Sequence, residues 1–278
     1  MSNKHEAGTQ EAGTQAAGSQ VAGSQTASSR TGVILAAGMG TRLAGVSDQT
    51  RCKPLIPVAG VPLIHRTIRS LELAGCHRIV MVLGYGFHEM RSEILGSGPH
   101  ALPVTFVYND KYQLSNGLSL LAARPEIEGT FVLTMADHIL SDEMMKKAAA
   151  HTPPEMGATL LVDYRIDSVF DLDDATKVQT DGEYILAIGK QLSEYNAIDT
   201  GVFVCTPSLI DKIDTVYREK GDASLSEGVQ ALSEERLMRV LDIGDAYWQD
   251  VDTPEMLAHA ETMLKKETLG EKQVTRES

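Results

Sequence analysis

Gly32-Val33-Ile34-Leu35-Ala36-Ala37-Gly38-Met39-Gly40-Thr41-Arg42-Leu43, followed ten residues later by Lys53-Pro54-Leu55, is the stretch from which the rest of the 278-residue chain can be read. Val33, Ile34 and Leu35 form a short apolar run. It ends at two alanines and a loop of small residues carrying one arginine, which reads as a buried strand feeding a phosphate loop. Glycine at 38 and 40 permits positive φ and leaves no Cβ to keep a ligand away, so successive N–H groups can turn toward an anion. Arg42 and Lys53 add mobile positive charge to that cradle. A dinucleotide fingerprint would need a third glycine where Leu43 stands, and a Walker loop would need Gly-Lys-Ser/Thr after four intervening residues. Neither pattern is present.

Composition bounds the rest. Hydrophobic residues make up 42% of the chain, enough for one large or two small domains. No run of about 18 apolar residues occurs, and no apolar stretch precedes Arg30, so neither membrane insertion nor a secretory signal is expected. Cys52, Cys76 and Cys205 are odd in number and scattered, without metal-site or disulfide spacing, which suits a reducing cytoplasm. The formal net charge is −13, and Lys4 and Arg30 cancel Glu6 and Glu11 in the first thirty residues. The acidity therefore belongs to the remainder. It argues against nucleic-acid binding and means that a polyanionic substrate must be held by local cations and a divalent metal.

Residues 7–26 repeat Ala-Gly-Ser/Thr-Gln at a five-residue period, four times over, and residues 1–30 are read as a disordered low-complexity tail. Beyond the phosphate loop, Pro62 opens a helix whose Leu63, Ile64, Ile68 and Leu71 share a face, ending at Gly75. Strands are expected at Arg78–Leu83, Pro103–Tyr108 and Phe131–Met135, with a short helix through Met90 and Ile94. This alternation predicts an α/β fold, a mostly parallel sheet flanked by helices on both faces. Ligands of such sheets gather at the carboxyl ends of the strands. The second half changes character, with short strands at Gly157–Asp163, Thr176–Gln179, Tyr184–Gly189 and Ala197–Cys205. A last helix starts at Thr253-Pro254 and runs through Leu257, Ala260 and Leu264; the polar end beyond it is expected to fray. The foldable domain is placed at 31–267 and a polar tail at 268–278.

Several strand ends carry distinctive residues. Asp137 follows the fourth strand; because Ser141 already serves as the cap of the next helix, Asp137 is spare, and a carboxylate there suits Mg²⁺, which prefers hard oxygen ligands. Asp250 and Asp252, beside the only tryptophan, are more than a helix cap requires. Asn116-Gly117 reads locally as a turn. Lys177 and Lys190 fall at strand edges, where a lysine is by default solvated. In Ile198-Asp199-Thr200-Gly201, polar residues interrupt an apolar strand and are expected to face a cavity.

The loop with Lys53-Pro54-Leu55 resembles the N-terminal signature of nucleotidyltransferases that join a nucleoside triphosphate to a sugar or alcohol phosphate. Leu133-Thr134-Met135-Ala136-Asp137-His138, Ala175-Thr176-Lys177-Val178, Ile188-Gly189-Lys190, Ile198-Asp199-Thr200-Gly201 and Trp248-Gln249-Asp250-Val251-Asp252-Thr253-Pro254, in this order, narrow the likeness. Together they resemble the CTP:inositol-1-phosphate cytidylyltransferases from about residue 31 to about 267. The resemblance implies a Rossmann-like nucleotidyltransferase fold with a small β-rich acceptor subregion. It implies nucleotide contacts from Leu35, Ala36, Ala37, Gly38, Gly40, Thr41, Arg42, Lys53, Gly84, Asn116 and Gly117, with Arg42, Lys53 and Asp137 catalytic. Acceptor contacts would come from Lys177, Lys190, Asp199 and Thr200, and Mg²⁺ would sit on Asp137 and Asp252, with Asp250 as second choice. The implied partners are CTP, a small phosphorylated alcohol and a separate downstream enzyme that uses the CDP-alcohol, in a monomer or homodimer. Phosphocholine or phosphonate cytidylyltransferases, sugar-1-phosphate nucleotidyltransferases using another nucleotide, and a non-catalytic nucleotide binder are the alternatives.

Overall fold

The computed structural model describes residues 30–40, 52–98 and 100–277, with side chains described as far as Lys265. The repeat tail lies outside these residues, as do Thr41 and Arg42. β1 (Arg30–Ala36) is buried along its whole length. Its alternate side chains enter two separate cores: Val33 and Leu35 one, Ile34 and Ala36 the other. A strand covered on both faces needs continuous apolarity rather than alternation, which is why the run at 33–35 is unbroken.

Two short strands, β2 (Pro57–Val58) and β3 (Val61–Pro62), form a hairpin ahead of α1 (Leu63–Leu73). Then follow β4 (Cys76–Leu83), α2 (Phe87–Gly96), β5 (Val104–Tyr108), α3 (Gly117–Ala123) and β6 (Phe131–Met135). The next elements are β7 (His138–Leu140), α4 (Asp142–Ala150), β8 (Ala158–Asp163), β9 (Lys177–Thr180), β10 (Ile185–Gly189) and β11 (Ala197–Cys205). The chain closes through α5 (Ser208–Lys220), α6 (Leu225–Glu234), β12 (Met238–Asp242), β13 (Trp248–Asp250) and α7 (Pro254–Glu277). Helical backbone thus continues past Leu264, through the stretch expected to fray.

The main sheet runs β10-β9-β11-β6-β1-β4-β5, with β8 beside β11 and β12 beside β8. β1, β4, β5 and β6 are mutually parallel, and β11 is antiparallel to β6, β8 and β9. The mostly parallel mixed sheet expected from the alternation is present. From β1 the chain moves outward to β4 and β5, then returns to place β6 on the other side of β1. That reversal opens a crevice at the carboxyl ends of β1 and β6, where ligands of open α/β sheets bind.

Two side chains tie this region to its surroundings. Ser141 caps α4 by accepting from the Met144 N–H, which leaves Asp137 uncommitted to that helix. At the other end of α4 the Arg30 guanidinium donates to the carbonyls of Ala148 (2.9 Å), Ala149 (3.2 Å) and His151, so the helix's last carbonyls are satisfied. No helix among the described residues is long and apolar enough to cross a membrane.

Candidate active site

The crevice between β1 and β6 holds a cleft of about 340 Å³ lined by Leu35, Ala36, Gly38, Met39, Gly40, Lys53, Pro54, Ala136, Asp137 and Asp252. Gly38 has open space where a Cβ would stand, so its backbone is accessible from the cleft. Gly40 has φ +58°, and a Cβ there would lie 2.5 Å from the Cβ of Lys53. Its glycine is therefore required by the approach of Lys53 as well as by the turn.

Lys53 opens a 3-10 turn (Lys53–Leu55) and is buried. Its ammonium donates to Asp137 Oδ2 at 2.7 Å and to Asp252 Oδ1. Burial alone would lower the lysine pKa, but the charges of and hydrogen bonds to the two carboxylates outweigh it and raise it. Burial likewise pushes Asp137 up, and Lys53 together with His138 reverses this and holds it well below the usual carboxylate range. Lys53 and Asp137 therefore stand as a charged pair.

Asp252 reaches the cleft because β13 pairs antiparallel with β7, Asp250 opposite His138, and the Val251 N–H donates to the Asp137 carbonyl at 2.9 Å. His138 Nδ1 contacts Asp137 Oδ1 at 2.7 Å, and its ring stacks on Trp248 with centroids 6.3 Å apart. Gly201, at φ +74°, makes room for that ring: a Cβ would stand 2.6 Å from His138 Nε2.

A divalent cation fits this donor set. Asp137 and Asp252 converge on one ammonium, and single oxygens of Asp174, Asp250 and Asp252 lie within 4.8 Å of one another. Carboxylate oxygens are the ligands hard cations take. Asp174 belongs to no reading of the sequence. It sits in the acidic run Asp171-Leu172-Asp173-Asp174, which looks like a solvated loop, and only its nearness to Ala175-Thr176-Lys177 could have singled it out.

The other sequence candidates divide. Lys190 pairs with Asp174 at 2.7 Å, which puts it beside the carboxylate group. Lys177 is buried and donates to the Asp173 carbonyl at 2.9 Å. Asp199 accepts from the Gly201 N–H at 2.7 Å. Thr200 is fully buried and its hydroxyl donates to the Leu161 carbonyl at 2.7 Å, so its side chain is spent on β8 rather than turned to a cavity. Ala37 accepts from the Tyr85 N–H at 3.1 Å behind the loop, and a Cβ on Gly84 would stand 2.9 Å from that Ala37 carbonyl. Asn116 Oδ1 accepts from the Leu225 N–H at 2.9 Å, and a Cβ on Gly117 would press into Ala223 and Ser224. Ala37, Gly84, Asn116 and Gly117 do not line the cleft.

Burial pushes the Asp199 carboxyl up to about 6, against the Gly201 N–H and the His138 charge that pull it down. Between about pH 4 and 6 the folded chain keeps a proton there that the unfolded chain releases, so this group lowers stability as pH rises through that window. Asp199→Asn keeps the acceptor for Gly201 and removes the charge. Its unfolding free energy should match the wild type at pH 4 and exceed it at pH 7 by at most about 3 kcal/mol. A constant difference across that range in chemical denaturation would place the ionisation elsewhere.

The profile of the MobA-like NTP transferase domain matches residues 32–234. The bifunctional IPC transferase and DIPP synthase of Thermococcus kodakarensis is 35% identical over 84% of this chain and 50% of its own, so the chain spans about half that relative's length. The 2-aminoethylphosphonate cytidylyltransferase of Lancefieldella rimae is 32% identical over 69% of this chain and 75% of its own. Among solved structures, the inositol-1-phosphate CTP transferase from T. maritima superposes with a TM-score of 0.72 at 27% identity, covering 84% of this chain and 96% of that one.

Proposed function

The chain belongs to the MobA-like NTP transferase family and is a nucleotidyltransferase, and from that premise we propose that it moves a cytidylyl group from CTP to a phosphorylated polyol, inositol-1-phosphate first among them. The observation that carries the reading is Lys53 held between Asp137 and Asp252 at the rim of the glycine loop. A cation balanced by two carboxylates where phosphates would lie is an arrangement for phosphoryl-type transfer. The structural neighbour named for inositol-1-phosphate and CTP supports the substrates.

An oxygen of the acceptor phosphate forms the new bond to the α-phosphorus of CTP, the bond from that phosphorus to the bridging oxygen breaks, and pyrophosphate leaves with the electron pair. The acceptor phosphate is anionic at neutral pH, so no protein base is required; positioning and electrostatics remain as the protein's contribution. The backbone of Gly38 and Gly40, with Thr41 and Arg42 after it, is assigned to the β and γ phosphates. Lys53 is assigned to charge developing around the α-phosphorus, and Lys190 to the acceptor phosphate. Asp137 and Asp252 would hold a divalent cation, Mg²⁺ by the hardness of their oxygens, with Asp250 and Asp174 adjacent. When bound it supplies Lewis-acid stabilisation of phosphate charge.

Pyrophosphate release with Mg²⁺, CTP and inositol-1-phosphate tests the reading, run beside phosphocholine, aminoethylphosphonate and glucose-1-phosphate and beside the other triphosphates. Turnover of CTP with aminoethylphosphonate alone would favour the activity named for the L. rimae relative. Silence with every pair would leave a nucleotide binder.

Lys190 is half-exposed and tethered to Asp174. A charged hydrogen bond to phosphate contributes about 1.5–3 kcal/mol, so Lys190→Ala should raise the acceptor KM by about tenfold or more and leave the CTP KM unchanged. An effect confined to CTP in initial-rate kinetics would move Lys190 to the nucleotide side.

A further inference from the structure

Along β13, next to the phosphate cleft, lies a second cavity of about 270 Å³, walled by residues that include Arg165, Phe170, Tyr247, Trp248, Asp250 and His259. It shares no lining residue with the phosphate cleft. Asp250 connects the two, because its carboxylate lies within 4.8 Å of that of Asp252, which lines the cleft.

The walls are held in place by bonds among themselves. Tyr247 donates its hydroxyl to Gln249 Oε1 at 2.6 Å, His259 Nδ1 meets the same oxygen at 2.5 Å, and Gln249 Nε2 donates to the Met256 carbonyl at 2.9 Å. Phe170 stacks on His259 with centroids 4.4 Å apart. Trp248 Nε1 donates to Asp163 Oδ2 at 3.0 Å, and Arg165 donates to the same oxygen at 3.0 Å and to the Ala246 carbonyl at 2.6 Å. Preformed cavities that combine aromatic walls with fixed polar groups are what small-molecule sites look like, and here Phe170, Tyr247, Trp248 and His259 supply the rings.

Charge then selects the occupant. Asp163, Asp171, Asp245 and Asp250 face the cavity against the single guanidinium of Arg165, so a phosphate is repelled. Among the described residues the carboxylate of Asp250 makes no hydrogen bond, and an ionised carboxylate can only accept. The matching donors are hydroxyl groups. An ammonium would also be attracted, yet its best partner is an open aromatic face. Phe170 has one face taken by His259, and the Trp248 ring is flanked by that of His138 with centroids 6.3 Å apart.

We propose that this cavity binds the uncharged, hydroxyl-bearing ring of the acceptor, a cyclitol-type polyol, with Asp250 between the ring and the reacting phosphate. The assignment of that ring to an acceptor rests on the cytidylyltransferase reading, whereas the polyol chemistry of the cavity does not. The phosphate end stays with Lys190, as assigned above, outside the cavity.

Trp248 is the only tryptophan of the chain and lines the cavity, so its fluorescence reports occupancy without catalysis. Titration of the full chain with free inositol should give a saturable change, with choline and inorganic phosphate giving none. Ser168 lines the cavity from an exposed position, and its hydroxyl donates only to the Arg165 carbonyl of its own turn at 2.7 Å. Ser168→Phe should fold, abolish the inositol response, and raise the acceptor KM at least tenfold while the CTP KM and the saturated turnover stay within twofold. A flat inositol titration, or a response to choline in its place, overturns the polyol assignment whatever the activity shows. A saturable inositol response in a chain that releases no pyrophosphate would keep the cavity and discard the reaction.

Discussion

Lys53→Met is expected to cut pyrophosphate release by about a hundredfold to a thousandfold, the loss typical of removing one preorganised group that meets transition-state charge. Methionine keeps the buried stem and deletes only the ammonium that Asp137 and Asp252 share. The same deletion leaves two carboxylates facing each other at the cleft. Breaking a fully buried pair costs about 3–5 kcal/mol; with Asp137 30% and Asp252 14% exposed, a loss of about 1–3 kcal/mol is expected. A divalent cation on those carboxylates should restore much of it, because a ligand that binds only the folded state stabilises it by mass action. Melting the variant in chelator and in Mg²⁺ reads this directly. Normal turnover would make Lys53 a structural residue, and an equal drop in both buffers would separate the metal from Asp137 and Asp252.

Asp137→Asn should lower Mg²⁺-dependent turnover by about a thousandfold or more, since metal stabilisation of phosphate charge is put at several kcal/mol and each 1.36 kcal/mol is tenfold. The amide preserves size and an acceptor for Lys53, so the protein should fold. His138, whose raised pKa reflects the hydrogen bond to and charge of Asp137 and the charge of Asp250 against its burial, should then titrate lower by NMR. The same measurement on Asp174→Asn sorts the two carboxylate groups. If Asp174→Asn is inactive and Asp137→Asn turns over, the cation belongs with Asp174, Asp250 and Asp252.

Local physics carried much of this. The run at 33–35 needed no partner to be recognised as a buried strand, and the Ser141 cap that freed Asp137 lies within its own helix. Asn116-Gly117 reads locally as a turn, whereas Gly117 opens α3 with Asn116 just before it, and both are used in packing: the Asn116 side-chain oxygen accepts from the start of α6 and the missing Cβ of Gly117 admits Ala223 and Ser224. Thr200 shows the limit of pattern reading, because a hydroxyl in an apolar strand can be satisfied by the neighbouring strand as readily as by a ligand.

The sequence by itself determined the alternating strands and helices around β1, β4, β5 and β6, the glycine turn at Gly40 and the residue types available for charge, since periodicity, capping and glycine conformations are properties of short segments; β12, β13, α5 and α6 it left unplaced. Only the tertiary structure decided which charges meet. Lys53 and Asp252 stand far apart in the chain, and Asp174 joins Asp250 and Asp252 only because the second half of the chain folds back onto the sheet beside β6, where β11 pairs. The Trp248 cavity needs β13, the 3-10 turn at Ile166–Ser168 and α7 together. Those contacts depend on strand order and register, which the free energy of the whole packed core selects and no local stretch encodes.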